Sequence, residues 1–78
     1  MSNVNHSLTL HKPGSEPVTF DMQTYKLVVR LEQRAMQSIF VIGQDGQLAF
    51  ALHRHNGEAA FRNALVSVGR FLCDQGVQ

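Results

Sequence analysis

His53 and His55 have the spacing of possible metal ligands. At the end of one strand their side chains would share a face, because side chains two residues apart point the same way. Neutral imidazoles so placed suit zinc, copper or nickel. No second motif fixes a third ligand, and the candidates are scattered: His6, His11, Asp45 and Cys73. The pattern favours two exposed polar residues between a strand and a helix over a metal site or a pH-sensitive contact, and no cofactor is predicted.

Basic residues recur at every fourth position in one segment of the chain. In a helix, Lys26, Arg30 and Arg34 would form a short ladder along one side, which Arg54 and Arg62 would extend. Contacts from such a ladder to phosphates hold a protein on nucleic acid without reading its sequence. The ladder lacks interleaved aromatic residues that would stack on single strands. We interpret it as a solvated charged face, with nucleic acid or an acidic protein surface as the alternative partner.

The sequence contains no catalytic constellation that we recognise. Its glycines lack the lysine and the spacing of a phosphate-binding loop, and no serine lies in a Gly-x-Ser-x-Gly turn. Cys73 is the one thiol, and a cysteine late in an amphipathic helix is typical of a packed, unreactive residue. The sequence therefore predicts a protein without enzymatic activity.

Size and composition limit both the core and the class of partner. The chain has 78 residues, 44% of them hydrophobic, with one cysteine and a net charge of +1. One core in so small a domain supplies about 3–5 kcal/mol of net stability, and a single cysteine excludes an internal disulfide. Self-association or a protein partner is the expected supplement. No apolar run has the length of a membrane span and no export signal is recognisable, which predicts a cytoplasmic protein.

A hairpin around Asp45-Gly46 is the clearest predicted element, because this dipeptide is typical of a type I′ turn. A turn there predicts three cross-strand pairs: Ile42 with Ala49, Val41 with Phe50, and Ile39 with Leu52. One face of the hairpin then carries Ile39, Val41, Leu48, Phe50 and Leu52. The other carries Phe40, Ile42, Ala49 and Ala51, which are also apolar. Since an antiparallel sheet with one side in water alternates apolar and polar residues, both faces are expected to be covered.

Residues 21–38 fit two patterns. As a strand, the segment places Tyr25, Leu27, Val29 and Leu31 on one face. As a helix, it places Val28, Leu31, Ala35 and Ile39 in one stripe. The helix is favoured because EQRAMQ contains strong helix formers and no turn residue, and because Asp21 is a competent N-cap.

The remaining segments complete an α+β fold. Residues 7–11 and 17–20 alternate around a Pro13-Gly14 turn and predict a first hairpin. A final helix is capped by Asn56, ends at Gly76 and has one apolar stripe: Phe61, Ala64, Leu65, Val68, Phe71 and Leu72. The prediction is two successive ββα units that form a four-stranded, mainly antiparallel sheet with two helices packed on it. Residues 7–78 form this single domain, and residues 1–6 form a flexible N-terminus.

Small residues lie on one flank of the predicted final helix. Val66, Gly69 and Cys73 cluster away from the apolar stripe and form a shallow groove in which another backbone can approach. Contact with the other helix of the same chain is the favoured interpretation, and contact with a partner or a second copy is the alternative. A glycine inside a helix costs about 1 kcal/mol relative to alanine, which predicts a packing reason for Gly69.

These observations predict a small non-catalytic protein that acts by protein–protein contact, including self-association as a homodimer. Seven residues are the expected contacts: Phe40, Ile42, Ala49, Ala51, Val66, Gly69 and Cys73. By size alone, the chain falls in the range of accessory regulators or inhibitors, including those encoded by phages and other mobile elements. The alternative function is a nucleic-acid-binding regulator that uses the basic helix face.

Overall fold

The computed structural model describes residues 6–75, which fold into five strands and one α-helix. The strands are β1 (Ser7–Leu10), β2 (Val18–Asp21), β3 (Lys26–Arg30), β4 (Ser38–Ile42) and β5 (Leu48–His53), and the helix is α1 (Glu58–Asp74). Two 3-10 turns, Arg34–Met36 and Arg54–Asn56, precede β4 and α1. β1 pairs with β2, and β3, β4 and β5 form a separate antiparallel sheet in that order.

The predicted four-stranded sheet with two helices is therefore wrong. The structure has a two-stranded and a three-stranded sheet, and α1 is the single α-helix of residues 6–75. The error lies in residues 21–38, where the predicted helix is replaced by β3 and one 3-10 turn. Leu27 and Val29 pack against the core from β3, and antiparallel pairing with β4 gives this strand its backbone hydrogen bonds. These long-range contacts outweigh the helix propensity of EQRAMQ.

Asp21, predicted as a helix N-cap, ends β2 and shapes a turn instead. Its carboxylate accepts a hydrogen bond from the backbone N–H of Gln23 at 3.0 Å. Its carbonyl oxygen accepts bonds from the N–H of Thr24 at 2.9 Å and from the Thr24 hydroxyl at 3.0 Å. The same side chain that can cap a helix can equally close a tight turn, because in both cases it accepts a bond from an N–H two or three residues ahead.

The first hairpin forms where the sequence predicts it. β1 and β2 are antiparallel, with Leu8 opposite Phe20. Pro13 and Gly14 occupy the turn, where Gly14 has φ +75° and the N–H of Ser15 bonds to the carbonyl of Lys12 at 3.1 Å. This combination is that of a type II turn, which requires positive φ at its third residue.

The second hairpin confirms two of its three predicted pairs. Val41 lies opposite Phe50 and Ile39 opposite Leu52, but a β-bulge places Ile42 opposite Leu48. The turn is not type I′, because among the non-glycine residues of the described chain none has positive φ, whereas Gly46 has φ +83°. The N–H of Gly46 bonds to the carbonyl of Gly43 at 3.0 Å, which makes a longer loop that ends in a left-handed glycine. Beyond the bulge, Val41 and Ile39 lie opposite their predicted partners.

Helix α1 begins at Glu58, one residue later than an N-cap at Asn56 would place its start. Gly57 is the N-cap and Asn56 lies in the preceding 3-10 turn, so the prediction of an Asn56 cap is wrong. Phe61, Ala64 and Val68 are buried, as the predicted stripe requires, whereas Leu72 is 47% exposed. The predicted helix end at Gly76 lies outside the described residues, as do residues 1–5 of the predicted flexible N-terminus. His6 is described, and its carbonyl accepts the N–H of Met22 at 2.7 Å.

One core joins both hairpins to α1. The inward faces of all four hairpin strands meet the buried face of the helix, and the members are Leu8, Leu10, Phe20, Ile39, Val41, Phe50, Leu52, Phe61, Ala64 and Val68. The ring of Phe20 meets the ring of Phe50 edge to face, with centroids 5.9 Å apart, and so ties the two sheets together. In the part of the chain that the structure describes, no helix is long and apolar enough to cross a membrane.

Candidate functional site

The three-stranded sheet has one face that neither α1 nor the first hairpin covers. Both of these elements pack against Ile39, Val41, Phe50 and Leu52, and the residues that alternate with them point to the other side. We call that side the open face: Lys26, Val28 and Arg30 of β3, Ser38, Phe40 and Ile42 of β4, and Leu48, Ala49, Ala51 and His53 of β5. Four of the seven predicted contact residues lie here. The predicted place of Leu48 on the core face is wrong, because the β-bulge puts it opposite Ile42, and it is 58% exposed.

The centre of the open face is apolar and partly accessible. Val28 lies opposite Phe40, and Phe40 lies opposite Ala51, so these three residues form one row across the sheet. All three are half-buried, as is Ile42, and Ala49 is exposed. The sequence predicted cover on both faces of this hairpin, but residues 6–75 provide a covering layer on the core side only.

One end of the open face contains a depression of about 690 Å³ between the sheet and the first 3-10 turn. We call it the histidine depression, and its lining residues are Arg30, Glu32, Gln33, Met36, Ser38, Phe40, His53 and His55. The Phe40 and His53 rings meet edge to face with centroids 5.7 Å apart. The His53 and His55 rings stack, with centroids 5.5 Å apart and planes inclined by 16°. The two histidines therefore lie side by side, although His55 belongs to the 3-10 turn after β5 and not to the strand on which the prediction relied.

Ser38 orients the imidazole of His53. Ser38 is only 4% exposed, and its Oγ lies 2.7 Å from Nδ1 of His53. The same hydroxyl donates to the carbonyl oxygen of Met36 at 3.1 Å. Since a hydroxyl has one proton, both bonds form together when Nδ1 of His53 is the donor. The bond therefore positions the imidazole of His53.

Ser38 was absent from the predicted site residues, although a signal for it existed. The predicted register that pairs Ile39 with Leu52 also pairs Ser38 with His53 one step further along the hairpin. Val28 was missed for a different reason. Its segment was predicted as a helix, and only the pairing of β3 with β4 places it beside Phe40.

Arg54 fixes the connection between β5 and α1. Its Nη1 donates to Oε1 of Gln37 at 2.9 Å, its Nη2 donates to Oε2 of Glu58 at 2.8 Å, and its side chain is 14% exposed. The backbone N–H of Arg54 also bonds to the carbonyl of Gln37 at 2.9 Å. The two bonds to Gln37 hold the two 3-10 turns together and the bond to Glu58 joins them to α1, so Arg54 supports the wall of the histidine depression.

The predicted basic ladder does not exist, because its segment is not a helix. The hydrogen bond and the positive charge of Arg54 hold the pKa of Glu58 below its ordinary value, and the charges of Arg62 and Arg34 act in the same direction. Arg62 Nε lies 4.0 Å from Glu58 Oε2. Three of the five predicted phosphate-binding residues thus surround one carboxylate.

Lys26 and Arg30, the other two predicted phosphate contacts, lie on β3. Both are exposed and both project from the open face, since residues four apart on a strand share a side. A strand rises about 3.3 Å per residue, which places their Cα atoms about 13 Å apart, twice the spacing of neighbours on a helix face. The two cations flank the apolar row at either end of β3.

The small-residue flank of α1 is exposed. Val66 is 55% exposed, Gly69 and Cys73 are exposed as well, and a Cβ added to Gly69 would meet no atom within 4 Å. The favoured interpretation, contact with a second helix of the same chain, is wrong because residues 6–75 contain one α-helix. Contact with a partner stays a prediction.

The arrangement of His53 and His55 bears on the metal hypothesis. Among residues 6–75, no group of three or more His, Cys, Asp or Glu side chains could hold a metal ion together. Of the proposed third ligands, Cys73 is exposed near the end of α1, and the Asp45 carboxylate accepts the N–H of Gln47 at 3.1 Å in the hairpin turn. The described residues therefore provide two imidazoles and no third ligand.

Comparison of this chain with protein-family models, with curated proteins and with solved structures finds no match.

Proposed function

We propose that this protein is a non-catalytic binding domain that acts by occupying a surface of another protein with its open face. One observation carries the proposal: the row Val28, Phe40 and Ala51 is apolar and partly accessible, while the other face of the same sheet is covered by α1 and the first hairpin. A contiguous apolar surface with a polar rim is typical of a protein-interaction site. Covering a functional surface in this way would make the domain a regulator or inhibitor of its partner.

The rim of the open face defines the chemistry of the partner. Lys26 and Arg30 lie at the ends of β3, and His53 and His55 line the histidine depression beside Arg30. Glu32 is the one acidic residue that lines this depression. A partner surface with an apolar centre and acidic residues at its edge would match this pattern, because charge complementarity increases the rate and the specificity of association.

The test is affinity capture of the tagged protein from its native cell, with the mass of the complex measured in solution. Ala51→Glu places a charge in the middle of the apolar row, and Val66→Glu places the same charge on the exposed flank of α1. We expect Ala51→Glu to abolish capture of the partner and Val66→Glu to retain it. Circular dichroism and thermal unfolding of each variant establish that the fold is intact.

The converse result would contradict the proposal. If Val66→Glu abolishes capture while Ala51→Glu retains it, the contact lies on the small-residue flank and the open face is not the site. A shift with DNA or RNA that weakens steeply with salt would instead support the nucleic-acid alternative. That alternative has less support, because Arg34, Arg54 and Arg62 lie around Glu58.

A further inference from the structure

β3 is the more open edge of the three-stranded sheet. It pairs with β4 on one side only, so alternate residues direct backbone N–H and C=O groups outward. The opposite edge, β5, is flanked by the turn of the first hairpin. There the Lys12 Nζ lies 5.2 Å from the centre of the Phe50 ring, and Lys12 and Pro13 line one depression together with Ala51 and Leu52.

The side chains of β3 on the open face alternate in a specific way. Lys26, Val28 and Arg30 lie opposite Ile42, Phe40 and Ser38 of β4. The order on this face of the edge strand is therefore cation, apolar residue, cation. Val28 is half-buried, and both cations are exposed.

Resting on the proposed function, we propose that the partner adds an extended segment to β3 as a fourth strand, with acidic residues opposite Lys26 and Arg30. Its sequence pattern is acidic, any, apolar, any, acidic, with the apolar residue beside Val28. Directly opposite side chains on paired strands interact, and opposite charges there are favourable. Because the pattern on β3 is symmetric about Val28, an acidic segment matches it in either strand direction.

The new strand would extend the apolar row of the open face. Its central residue would continue the line from Ala51 and Phe40 through Val28. The backbone hydrogen bonds to β3 would supply affinity, and the alternate side chains would supply specificity, as in other cases of strand addition. The end of the segment beside Arg30 would lie next to the histidine depression, which Arg30 lines together with Gln33 and His55.

A second copy of the chain fits this edge poorly. An antiparallel pair of β3 strands centred on Val28 would place Lys26 of each copy opposite Arg30 of the other. Like charges directly opposite each other are destabilising, and cationic side chains on edge strands are a known device against such pairing. The charges of β3 thus disfavour self-pairing and favour an acidic segment.

Two synthetic peptides test the inference on the full chain. One has the core Glu-Thr-Val-Thr-Glu, and the other replaces both glutamates with lysines. We expect the acidic peptide to bind at least about tenfold more tightly at low salt, because both charged pairs change from repulsive to attractive. Backbone amides of β3 should also exchange more slowly with solvent when the acidic peptide is bound.

Two matched changes separate strand pairing from simple charge attraction. N-methylation of alternate backbone nitrogens in the acidic peptide keeps its charge and removes its strand donors, and it should abolish binding. The double variant Lys26→Glu, Arg30→Glu should reverse the preference to the basic peptide, while the control Arg62→Glu on α1 should keep the original one. All three residues are exposed, so these variants should keep the fold, which circular dichroism checks.

Three results would overturn the inference: no binding of the acidic peptide, equal binding of the N-methylated peptide, or an unchanged preference in the double variant. The proposed function can fail separately. If Ala51→Glu abolishes partner capture while the β3 charge reversal leaves it intact, the open face is the site but strand addition is not the mode. If neither change affects capture, both proposals fail.

Discussion

The hydroxyl of Ser38 and the imidazole of His53 face each other across β4 and β5, with 2.7 Å between Oγ and Nδ1. The two residues are a register pair at the end of the hairpin, and Ser38 also bonds to Met36 in the preceding segment. One buried hydroxyl therefore connects the first 3-10 turn to the last residue of β5. Ser38 thus lines the histidine depression and also orients the imidazole of His53.

Ser38→Ala is expected to reduce the free energy of unfolding by about 1–2 kcal/mol, because it leaves Nδ1 of His53 and the carbonyl of Met36 without this partner in a part-buried site. Urea denaturation measures the change. Ser67→Ala is the matched control, since its hydroxyl bonds to the carbonyl of Asn63 at 3.3 Å on the surface of α1. Equal effects of the two substitutions would contradict the role given to Ser38.

Gly69→Ala is expected to stabilise the protein by about 0.5–1 kcal/mol. The residue lies inside α1, where alanine is favoured over glycine, and its added Cβ would meet no atom within 4 Å. Gly46→Ala is the contrasting variant and is expected to destabilise by about 1–2 kcal/mol, because φ at Gly46 is +83°. Thermal unfolding compares the stability of the two variants. If Gly69→Ala destabilises the protein, the flank around Gly69 packs more closely than the structure shows.

Gly69→Ala also tests the predicted partner contact on α1. If the flank of Val66, Gly69 and Cys73 binds a partner closely, the added methyl group should weaken capture of that partner while it stabilises the free protein. If the open face is the contact, capture should be unchanged. The amount of partner captured by equal amounts of the two proteins distinguishes the two outcomes.

Phe61→Ala is expected to cost about 3–5 kcal/mol, which is comparable to the whole stability of so small a domain. Phe61 is 1% exposed and lies where α1 meets both hairpins. Leu72→Ala, on the same helix but 47% exposed, is expected to have a much smaller effect. The amide-proton spectrum should lose its dispersion only for Phe61→Ala, and a folded spectrum with near-normal stability would contradict the assignment of the core.

Glu58 is expected to make stability fall on acidification. Its pKa is lowered in the folded state, chiefly by the hydrogen bond from Arg54, so its contribution is present above the ordinary glutamate pKa of about 4.3 and is lost as the pH falls through the lower folded value. Glu58→Gln should therefore be less stable than the parent at neutral pH, and the difference should narrow as the pH falls through that window.

Denaturation midpoints measured across the acid range test this dependence. Glu16→Gln is the control, because Glu16 is exposed and forms no ion pair within residues 6–75. It should follow the parent protein at each pH. A constant difference between Glu58→Gln and the parent, down to the lowest pH, would show that the Arg54 contact does not depend on the carboxylate charge.

The candidate site was predictable only in part. Alternation within one hairpin depends on local sequence, and it placed Phe40, Ile42 and Ala51 on one face, but the β-bulge turns Leu48 to that face as well. His53 and His55 are neighbours, but strand alternation does not explain this, because His55 lies in the 3-10 turn after β5. The arrangement of the basic residues was not predictable, because a spacing of four residues fits one side of a helix and also one side of a strand. On β3, Lys26 and Arg30 share a face but lie far apart, and Arg54 bonds to Gln37 and Glu58.

The sequence by itself determined the elements whose signals are local: both hairpins, the pairs Val41–Phe50 and Ile39–Leu52, and the buried stripe of α1. Turn residues and short-range periodicity specify such elements without help from distant segments. Only the tertiary structure decided residues 21–38. Their apolar pattern fits a helix or a strand, and a strand gains its hydrogen bonds only from a neighbour. The segment forms β3 because β4 provides an edge to pair with and because Leu27 and Val29 pack against the core from there. The other side of β3 then belongs to the open face.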